Sequence, residues 1–163
     1  MKNTIIGFTG IICALLAPAR ADEQLIDAES FTEIGGWVVD QQSMDQMGSP
    51  YLMAHGLGEQ VRDAHTKIHI RKGGEHRIWV RTRDWVGKWK SEQFQGPMKA
   101  TGSPGIFHLA IDNQPLETLF GEHGADWHWQ DGGIINLAAG EHTLALHDLT
   151  GFNGRCDAIL VTD

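Results

Sequence analysis

Residues 75–89, EHRIWVRTRDWVGKW, carry side chains well suited to binding a polar, ring-shaped ligand. Arg offers a fixed fork of donors for carboxylates and hydroxyls, and Trp offers a flat apolar plate. Because side chains alternate between the two faces of a strand, a strand here separates a core face from an Arg–Trp face. The alternative is an Arg–Trp stack that only covers a sheet edge. The core face would hold Ile78, Val80 and Thr82, the other face Trp79, Arg81, Arg83 and Trp85, and the following loop Trp89.

A second segment with binding chemistry is 124–133, GADWHWQDGG. Strand alternation puts Trp127 and Trp129 on one face and His128 on the other. We expect one of these indoles to be buried and the other to be available for stacking on a sugar ring. The carboxylates expected to accept hydrogen bonds from hydroxyl groups are Asp84, Asp126 and Asp131.

Three carboxylates predict a cation site. Asp27 and Glu29 lie two residues apart on an expected strand, so both side chains would point the same way and repel each other unless a cation lies between them. Asp157 begins the expected last strand, and the terminal strands of a sandwich often run side by side. Hard oxygen donors of this kind suit Ca²⁺. The alternative is that the two carboxylates on the first strand face solvent.

Other catalytic and metal-binding patterns are weak or missing in the sequence. The nine histidines include no HExxH motif, and His65 and His69 are expected to be exposed polar positions. There is no Ser nucleophile elbow and no dinucleotide-binding fingerprint, so we expect this chain to bind no flavin. Tyr51 and His55 remain a conceivable acid–base pair for a polysaccharide lyase. We therefore expect binding rather than catalysis.

The N-terminal segment 1–21 has the pattern of a signal peptide. Lys2 precedes a short apolar run, and Ala19-Arg20-Ala21 fits the small-x-small rule for cleavage after Ala21. The apolar run is too short for a comfortable membrane span. The predicted location is therefore secreted or periplasmic. Cleavage would leave Cys156 as a single thiol, which has no partner for an internal disulfide.

Composition limits the remaining possibilities. The formal net charge of −8 argues against nucleic acid and anionic membranes as partners, because both would be repelled. Residues 22–163 are sufficient for one domain with a single core. An acidic chain remains compatible with neutral ligands, with cations and with local basic spots such as Arg81 and Arg83.

Short strands punctuated by glycine predict an all-β, antiparallel β-sandwich of the jelly-roll type, with about eight strands. Hairpin turns are predicted at 72–75 and 139–141, and a turn at 112–115. Residues 40–57 read as a long loop or a bulged strand, and 87–105 as a long surface loop. The expected strands are 25–31, 37–39, 66–71, 75–85, 105–112, 127–130, 134–137, 143–148 and 157–162.

Three segments carry a family resemblance: IDAESF at the start, RIWVRTRDW in the middle and AAGEHTLALHDLTGFNGRCDAILVT at the end. Together they resemble the galactose-binding-like, jelly-roll carbohydrate-binding modules. In those modules an acidic residue and a Glu of the first strand, with an Asp of the last strand, hold a structural calcium. The resemblance implies Asp27, Glu29 and Asp157 as the calcium ligands, although Asp27 replaces the more usual Glu.

A closer resemblance comes from GGWVVDQQSMDQMGSPYLMAHGLG, RTRDW, WHWQDGG and HDLTGFNGRCDAI. These look like the N-terminal module that precedes the flavin domain in exported bacterial FAD-dependent oxidoreductases, some of which are labelled xanthan lyase. The resemblance leaves the ligand of the module open. It implies a carbohydrate or polysaccharide partner and a flavin-dependent or lyase domain as a neighbour.

The sequence thus predicts an exported, non-catalytic carbohydrate-binding module, with acidic polysaccharide as a candidate ligand. Two alternatives stay open, namely a small lyase or hydrolase and a module that docks a flavin or lyase domain. A cleft with facing carboxylates would favour the enzyme, and a large exposed apolar patch would favour the docking module.

Overall fold

The computed structural model describes residues 23–90 and 102–163, which form two antiparallel β-sheets. This confirms the predicted all-β jelly-roll sandwich. Two short helices, α1 (Met44–Met47) and α2 (Gly87–Lys90), lie in the connections. The strands are β1 (Glu23–Asp27), β2 (Trp37–Asp40), β3 (Tyr51–His55), β4 (Ala64–Ile70), β5 (Gly74–Thr82), β6 (Phe107–Ile111), β7 (Gln114–Pro115), β8 (His128–Leu137), β9 (Gly140–Asp148) and β10 (Phe152–Thr162).

The first sheet, called sheet one, has the order β2-β3-β10-β5-β8. The long strand β10 pairs along one edge with β5 and along the other edge with β3 and then β1. Glu23 lies opposite Thr162, and Asp27 lies opposite Ala158. The first and last strands therefore run side by side, as the sequence analysis expected.

The second sheet, called sheet two, has the order β4-β9-β6-β7. The turn at 112–115 links β6 to β7 as predicted, and Asp112 and Asn113 both adopt positive φ there. Asp112 supports this turn by accepting hydrogen bonds from the backbone N–H of Thr143 and from His142 Nδ1. Within the described ranges, no helix is long and apolar enough to cross a membrane.

The two predicted hairpins are wrong. The first turn connects β4 of sheet two to β5 of sheet one, and the second connects β8 of sheet one to β9 of sheet two. Both tight turns are therefore crossovers between the sheets. A glycine-rich turn signals that the chain reverses, but it does not specify which sheet receives the next strand. The two crossovers touch, because a Cβ atom at Gly73 would lie 3.0 Å from the backbone nitrogen of Ala139.

Several predicted strand boundaries also change. The first strand ends at Asp27, and Glu29 lies in a 3-10 turn, Ala28–Ser30, so the predicted shared strand face of Asp27 and Glu29 is wrong. Segments 128–130 and 134–137 belong to one strand, β8, which begins one residue after Trp127 and whose register against β5 shifts at Gly132. Strand β3 was missed within 40–57 because it is buried at four of its five positions and shows no alternation. Of the loop predicted at 87–105, the first four residues form α2, and 91–101 lie outside the described residues.

The hydrophobic core fills the space between the sheets. Its largest fully buried side chains include Trp37, Phe107 and Phe120. Trp37 meets Phe107 edge-on at 5.6 Å between ring centroids, a favoured aromatic geometry. Ile78, Val80 and Thr82 of β5 are buried on the core side, which confirms the predicted inward face of that strand.

A fully buried carboxylate, Asp148, ties the loops together at the end of β9. Its oxygens accept hydrogen bonds from the backbone N–H groups of Val61, Thr150 and Gly151 at 2.9–3.1 Å. An ionised carboxylate is a strong acceptor, so this one side chain satisfies three donors that would otherwise lack partners.

Replacing Asp148 by Asn should lower the free energy of unfolding by about 1–3 kcal/mol, because an amide N–H₂ would face backbone donors. Urea denaturation followed by circular dichroism measures the change. The exposed Glu117→Gln is the control, expected to change stability by less than about 0.5 kcal/mol. Equal effects of the two substitutions would contradict the anchoring role of Asp148.

Candidate ligand-binding face

The outward side of sheet one carries the arginines and aromatic rings that the sequence singled out. We call it the Arg–Trp face and define it by Arg83, Arg155, Tyr51, Trp85 and Trp127. Along β5 and just beyond it, the outward positions alternate with the buried core positions. The predicted separation of the two faces of β5 is therefore confirmed.

Arg155 of β10 lies between two aromatic rings. Its guanidinium carbon is 5.5 Å from the ring centroid of Trp85 and 6.0 Å from that of Tyr51. Its Nε also donates to the Tyr51 hydroxyl at 3.4 Å, and Trp85 Nε1 donates to the Phe152 carbonyl at 3.0 Å. Cation–π contacts and these hydrogen bonds hold the guanidinium in a defined orientation.

Arg83 forms the second positive centre of the Arg–Trp face. Its guanidinium carbon lies 6.0 Å from the ring centroid of Trp127, which in turn meets Tyr51 edge-on at 4.9 Å. Burial and the nearby charge of Arg155 lower the pKa of Arg83. Within the described part of the chain, the buried donors Arg83 Nε and Trp127 Nε1 have no hydrogen-bond acceptor. The face therefore has unused donor capacity and an excess of positive charge.

Two further indoles stand at the margin of this face and remain accessible. Trp129 and Trp89 each expose 41% of their surface. Trp129 pairs with Arg81 across β8 and β5, and Trp89 meets Trp85 edge-on at 5.7 Å. Of the 127–129 pair, Trp129 is open to solvent as expected, whereas Trp127 is half-buried with its indole nitrogen fully enclosed.

The three predicted hydroxyl acceptors occupy different environments. Asp84 is buried, accepts from the backbone N–H of Val86 at 3.1 Å and pairs with Lys90, so it organises the loop after β5. Asp131 pairs with Arg77 and accepts from the N–H of Gly133. Asp126 is open to solvent, with one carboxylate oxygen 3.4 Å from Lys88 Nζ. Asp126 is therefore the most open of the three.

The predicted cation ligands lie close enough to influence one another. Asp157 sits at the register shift between β10 and β5, where Cys156 opposes Thr82 and Ala158 opposes Arg81. Burial raises the pKa of Asp157, while Arg81, 3.2 Å away, opposes the shift. The pKa of Glu29 is also raised, first by burial and further by the charges of Asp27 and Asp157.

The fit of these carboxylates to a metal ion is incomplete. Among residues 23–90 and 102–163, no group of three or more His, Cys, Asp or Glu side chains is arranged to hold a metal ion. Arg81 and Ser49 already donate hydrogen bonds to the carboxylate oxygens of Asp157. One observation does suit a cation, since the Glu29 oxygen Oε2 is buried and finds no hydrogen-bond partner in the described part of the protein.

The side chains considered for acid–base chemistry do not form a pair. Tyr51 and His55 are four positions apart on β3, about 13 Å along a strand. Tyr51 is buried and its pKa is raised, chiefly by burial, whereas the exposed His55 hydrogen-bonds to Asn153 at 2.8 Å. This geometry gives no support to a lyase dyad at these two residues.

Arg155 is the member of the Arg–Trp face that the sequence analysis missed. The last strand was predicted to begin at Asp157, which left Arg155 in a loop. In the structure β10 begins at Phe152, so Arg155 alternates with the fully buried Cys156 and points outward. The alternation of Arg155 and Cys156 was the available signal, but the glycines around it suggested a loop.

The sequence matches no protein-family profile and no curated protein sequence. Among solved structures, the chain is similar to a family 35 carbohydrate-binding module from Clostridium thermocellum, with 12% identity, a TM-score of 0.59, and coverage of 86% of this chain and 97% of that chain. A similar match is the family 35 module from Paenibacillus barcinonensis, with 15% identity, a TM-score of 0.60 and coverages of 86% and 98%.

The chain is also similar to the GH26-CBM35 β-(1,4)-mannanase of Podospora anserina, with 16% identity and a TM-score of 0.61. The match covers 85% of this chain and 27% of the mannanase, so the chain spans about a quarter of that enzyme. At these identities the similarity establishes the jelly-roll fold. The structural neighbours are carbohydrate-binding modules.

Replacing Arg81 by Gln should destabilise the protein by on the order of 3 kcal/mol at neutral pH, because it leaves the buried Asp157 carboxylate without its ion pair. Arg77→Gln is the matched control, since its ion pair with Asp131 lies at the surface of the same sheet and should matter little. Urea unfolding measures both variants. A similar small loss in each would contradict a buried role for Arg81.

Proposed function

We propose that this protein is a non-catalytic carbohydrate-binding module whose Arg–Trp face binds the ligand. The supporting observation is that the guanidinium groups of Arg83 and Arg155 lie on the same face, each against aromatic rings. Guanidinium groups bind carboxylates and hydroxyls through directed hydrogen bonds, and indole plates pack against the C–H faces of sugar rings. The likeness to solved carbohydrate-binding modules supports the same class of ligand.

The electrostatics of this face favour an acidic polysaccharide. Burial and, after it, the charge of Arg155 lower the pKa of Arg83, and the second cause means that the two positive charges repel each other. A ligand carboxylate near both guanidiniums would relieve that repulsion and would accept hydrogen bonds from their N–H groups. The chain has a net charge of −8, so the positive charge on this face is a local feature rather than a property of the whole surface.

Replacing the exposed Trp129 by Ala should weaken binding of an oligogalacturonide about ten-fold, or 1.4 kcal/mol, because a stacking plate is lost. Isothermal titration calorimetry measures the affinity. Ile134→Ala is the matched control, because Ile134 is an exposed apolar residue of the same strand that lies away from Arg83. Equal affinities of wild type and Trp129→Ala would remove this indole from the binding face.

The choice of an acidic ligand can be tested separately with Arg83→Gln. This variant should lose affinity for the oligogalacturonide, and the wild-type affinity should fall as NaCl is increased. A neutral mannan oligosaccharide of the same length serves as the comparison ligand. Stronger binding of the neutral oligosaccharide that is unaffected by salt and is weakened by Arg83→Gln would contradict the acidic preference of this face while leaving carbohydrate binding intact.

A structural calcium at Asp27, Glu29 and Asp157 remains part of the proposal. The buried, unpartnered oxygen of Glu29 and the mutual repulsion of the three carboxylates support it. A bound cation would neutralise that repulsion, and its oxygen ligands would come from these side chains and from backbone carbonyls. The ion pair between Arg81 and Asp157 would have to loosen for Asp157 to join the set.

Calcium should raise the thermal unfolding temperature of the wild type, and EDTA should reverse the effect. The gain should grow as pH rises above about 4, because the raised pKa values of Glu29 and Asp157 mean that without metal the folded state becomes less stable as these groups ionise. The variant Glu29→Gln should lose the response. An unfolding temperature that is indifferent to calcium at neutral pH would reject the site.

The competing proposal is a module that docks a flavin-dependent or lyase domain. The match to part of a mannanase supports a role beside a catalytic domain. Glycan binding by the isolated chain separates the two proposals, because a pure docking module would bind no glycan. Export with cleavage after Ala21 also stays a proposal, which N-terminal sequencing of the secreted protein would test.

A further inference from the structure

A hollow of about 490 Å³ lies on the outward side of sheet two, the sheet opposite the Arg–Trp face. Strands β9, β6 and β7, the turn after β6, and Asp63 just before β4 contribute its walls. This volume is within the usual range for small-molecule sites, about 300–1,000 Å³. The residues that define it for the present argument are Asp63, His108, Ala110, Asn113, Ala145 and His147.

The floor of the hollow consists of two alanines that face each other across neighbouring strands. Ala110 of β6 is the direct partner of Ala145 of β9, and both are nearly fully buried. Leu149 and Pro115 add further apolar lining. The floor is therefore apolar.

A polar row closes one end of the hollow. His147 is the direct partner of His108 across β9 and β6, and Asp63 lies on the other side of His147. The Asp63 carboxylate is 2.8 Å from His147 Nδ1. With the proton on Nδ1, this contact leaves Nε2 of His147 as a hydrogen-bond acceptor with a fixed ring orientation.

The lining is rich in acceptors, and none of the described residues that form it is Lys or Arg. Asp63 has a second carboxylate oxygen, His147 has its Nε2, and Asn113 adds an amide on the turn, where it adopts a φ of 64°. His108 contributes a further polar atom, Nδ1, which is buried and has no hydrogen-bond partner among the residues that the structure describes. Such a site favours a ligand with several hydroxyl donors and disfavours a carboxylate, which Asp63 would repel.

We propose that this hollow is a second ligand site, which binds one hydroxylated ring of a neutral saccharide. The C–H face of the ring would lie on Ala110 and Ala145, and its hydroxyls would donate to Asp63 and His147. The two sites would then select opposite chemistry, acidic groups on sheet one and neutral groups on sheet two. The proposal does not rest on the function assigned to the Arg–Trp face.

The test is an NMR titration of ¹⁵N-labelled protein with neutral methyl pyranosides and, separately, with galacturonate. A neutral pyranoside should shift the amide signals of β6 and β9 in a saturable way, and galacturonate should leave them unchanged. Ala145→Leu, which fills the hollow, should abolish these shifts, and Asp63→Asn should weaken binding at least five-fold. Arg83→Gln should retain them, because Arg83 lies on the other sheet.

The outcomes for the hollow and for the Arg–Trp face can be told apart. The proposal is overturned if no neutral pyranoside shifts β6 and β9, or if the shifts survive in Ala145→Leu. Should Ala145→Leu fail to fold by circular dichroism, Asn113→Gly replaces it, since glycine tolerates the positive φ of this position, with an expected loss of at least three-fold. Loss of glycan binding in the Arg83→Gln and Trp129→Ala variants, with the β6 and β9 shifts intact, would concern only the Arg–Trp face.

Discussion

The hydrogen-bond ladder of β10 is the constraint on which the rest of sheet one depends. This strand pairs with β5 along one edge and with β3 and β1 along the other, so it fixes where three other strands lie. The ladder also sets the orientation of the side chains on β10. Because Cys156 and Ile159 must face the core, Arg155 is directed to the outward face, beside the aromatic rings that hold it.

The register shift at Asp157 explains why a carboxylate can be buried in this ladder. One extra residue on β10 separates the pairs formed with Thr82 and Arg81, and the side chain of Asp157 is turned toward Arg81. Bulges of this kind re-aim a side chain without ending the strand. The same ladder therefore supports both the ion pair with Arg81 and the approach of Asp157 to Glu29.

Much of the fold could be predicted from the sequence because glycine-bounded, alternating segments have few other solutions. The inward positions Ile78, Val80 and Thr82 illustrate this, since strand period alone assigned them correctly. The crossovers at Gly73 and Ala139 could not be predicted, because local turn chemistry is the same whether the next strand joins the same sheet or the facing one. Strand β3 could not be predicted because it is buried on both faces, so its sequence lacks the alternation of apolar and polar residues on which strand prediction depends.

The candidate site was predictable in its residue types but not in its arrangement. The residue types of Arg83 and the tryptophans were enough to predict a binding surface. The sequence could not distinguish Asp84, which is buried, from Asp126, which is open to solvent. The row of Asp63, His147 and His108 joins residues far apart in the chain, and only the pairing of β4, β9 and β6 brings them together.

The direct opposition of Glu23 and Thr162 across β1 and β10 has a mechanical consequence. A force that pulls these two residues apart acts along the interstrand hydrogen bonds, which would open one after another from that end. Such peeling resists tension far less than shearing, in which all the bonds must break together. The sandwich would therefore yield first at β1 when tethered at both ends, and the Arg–Trp face would keep its shape through that first step.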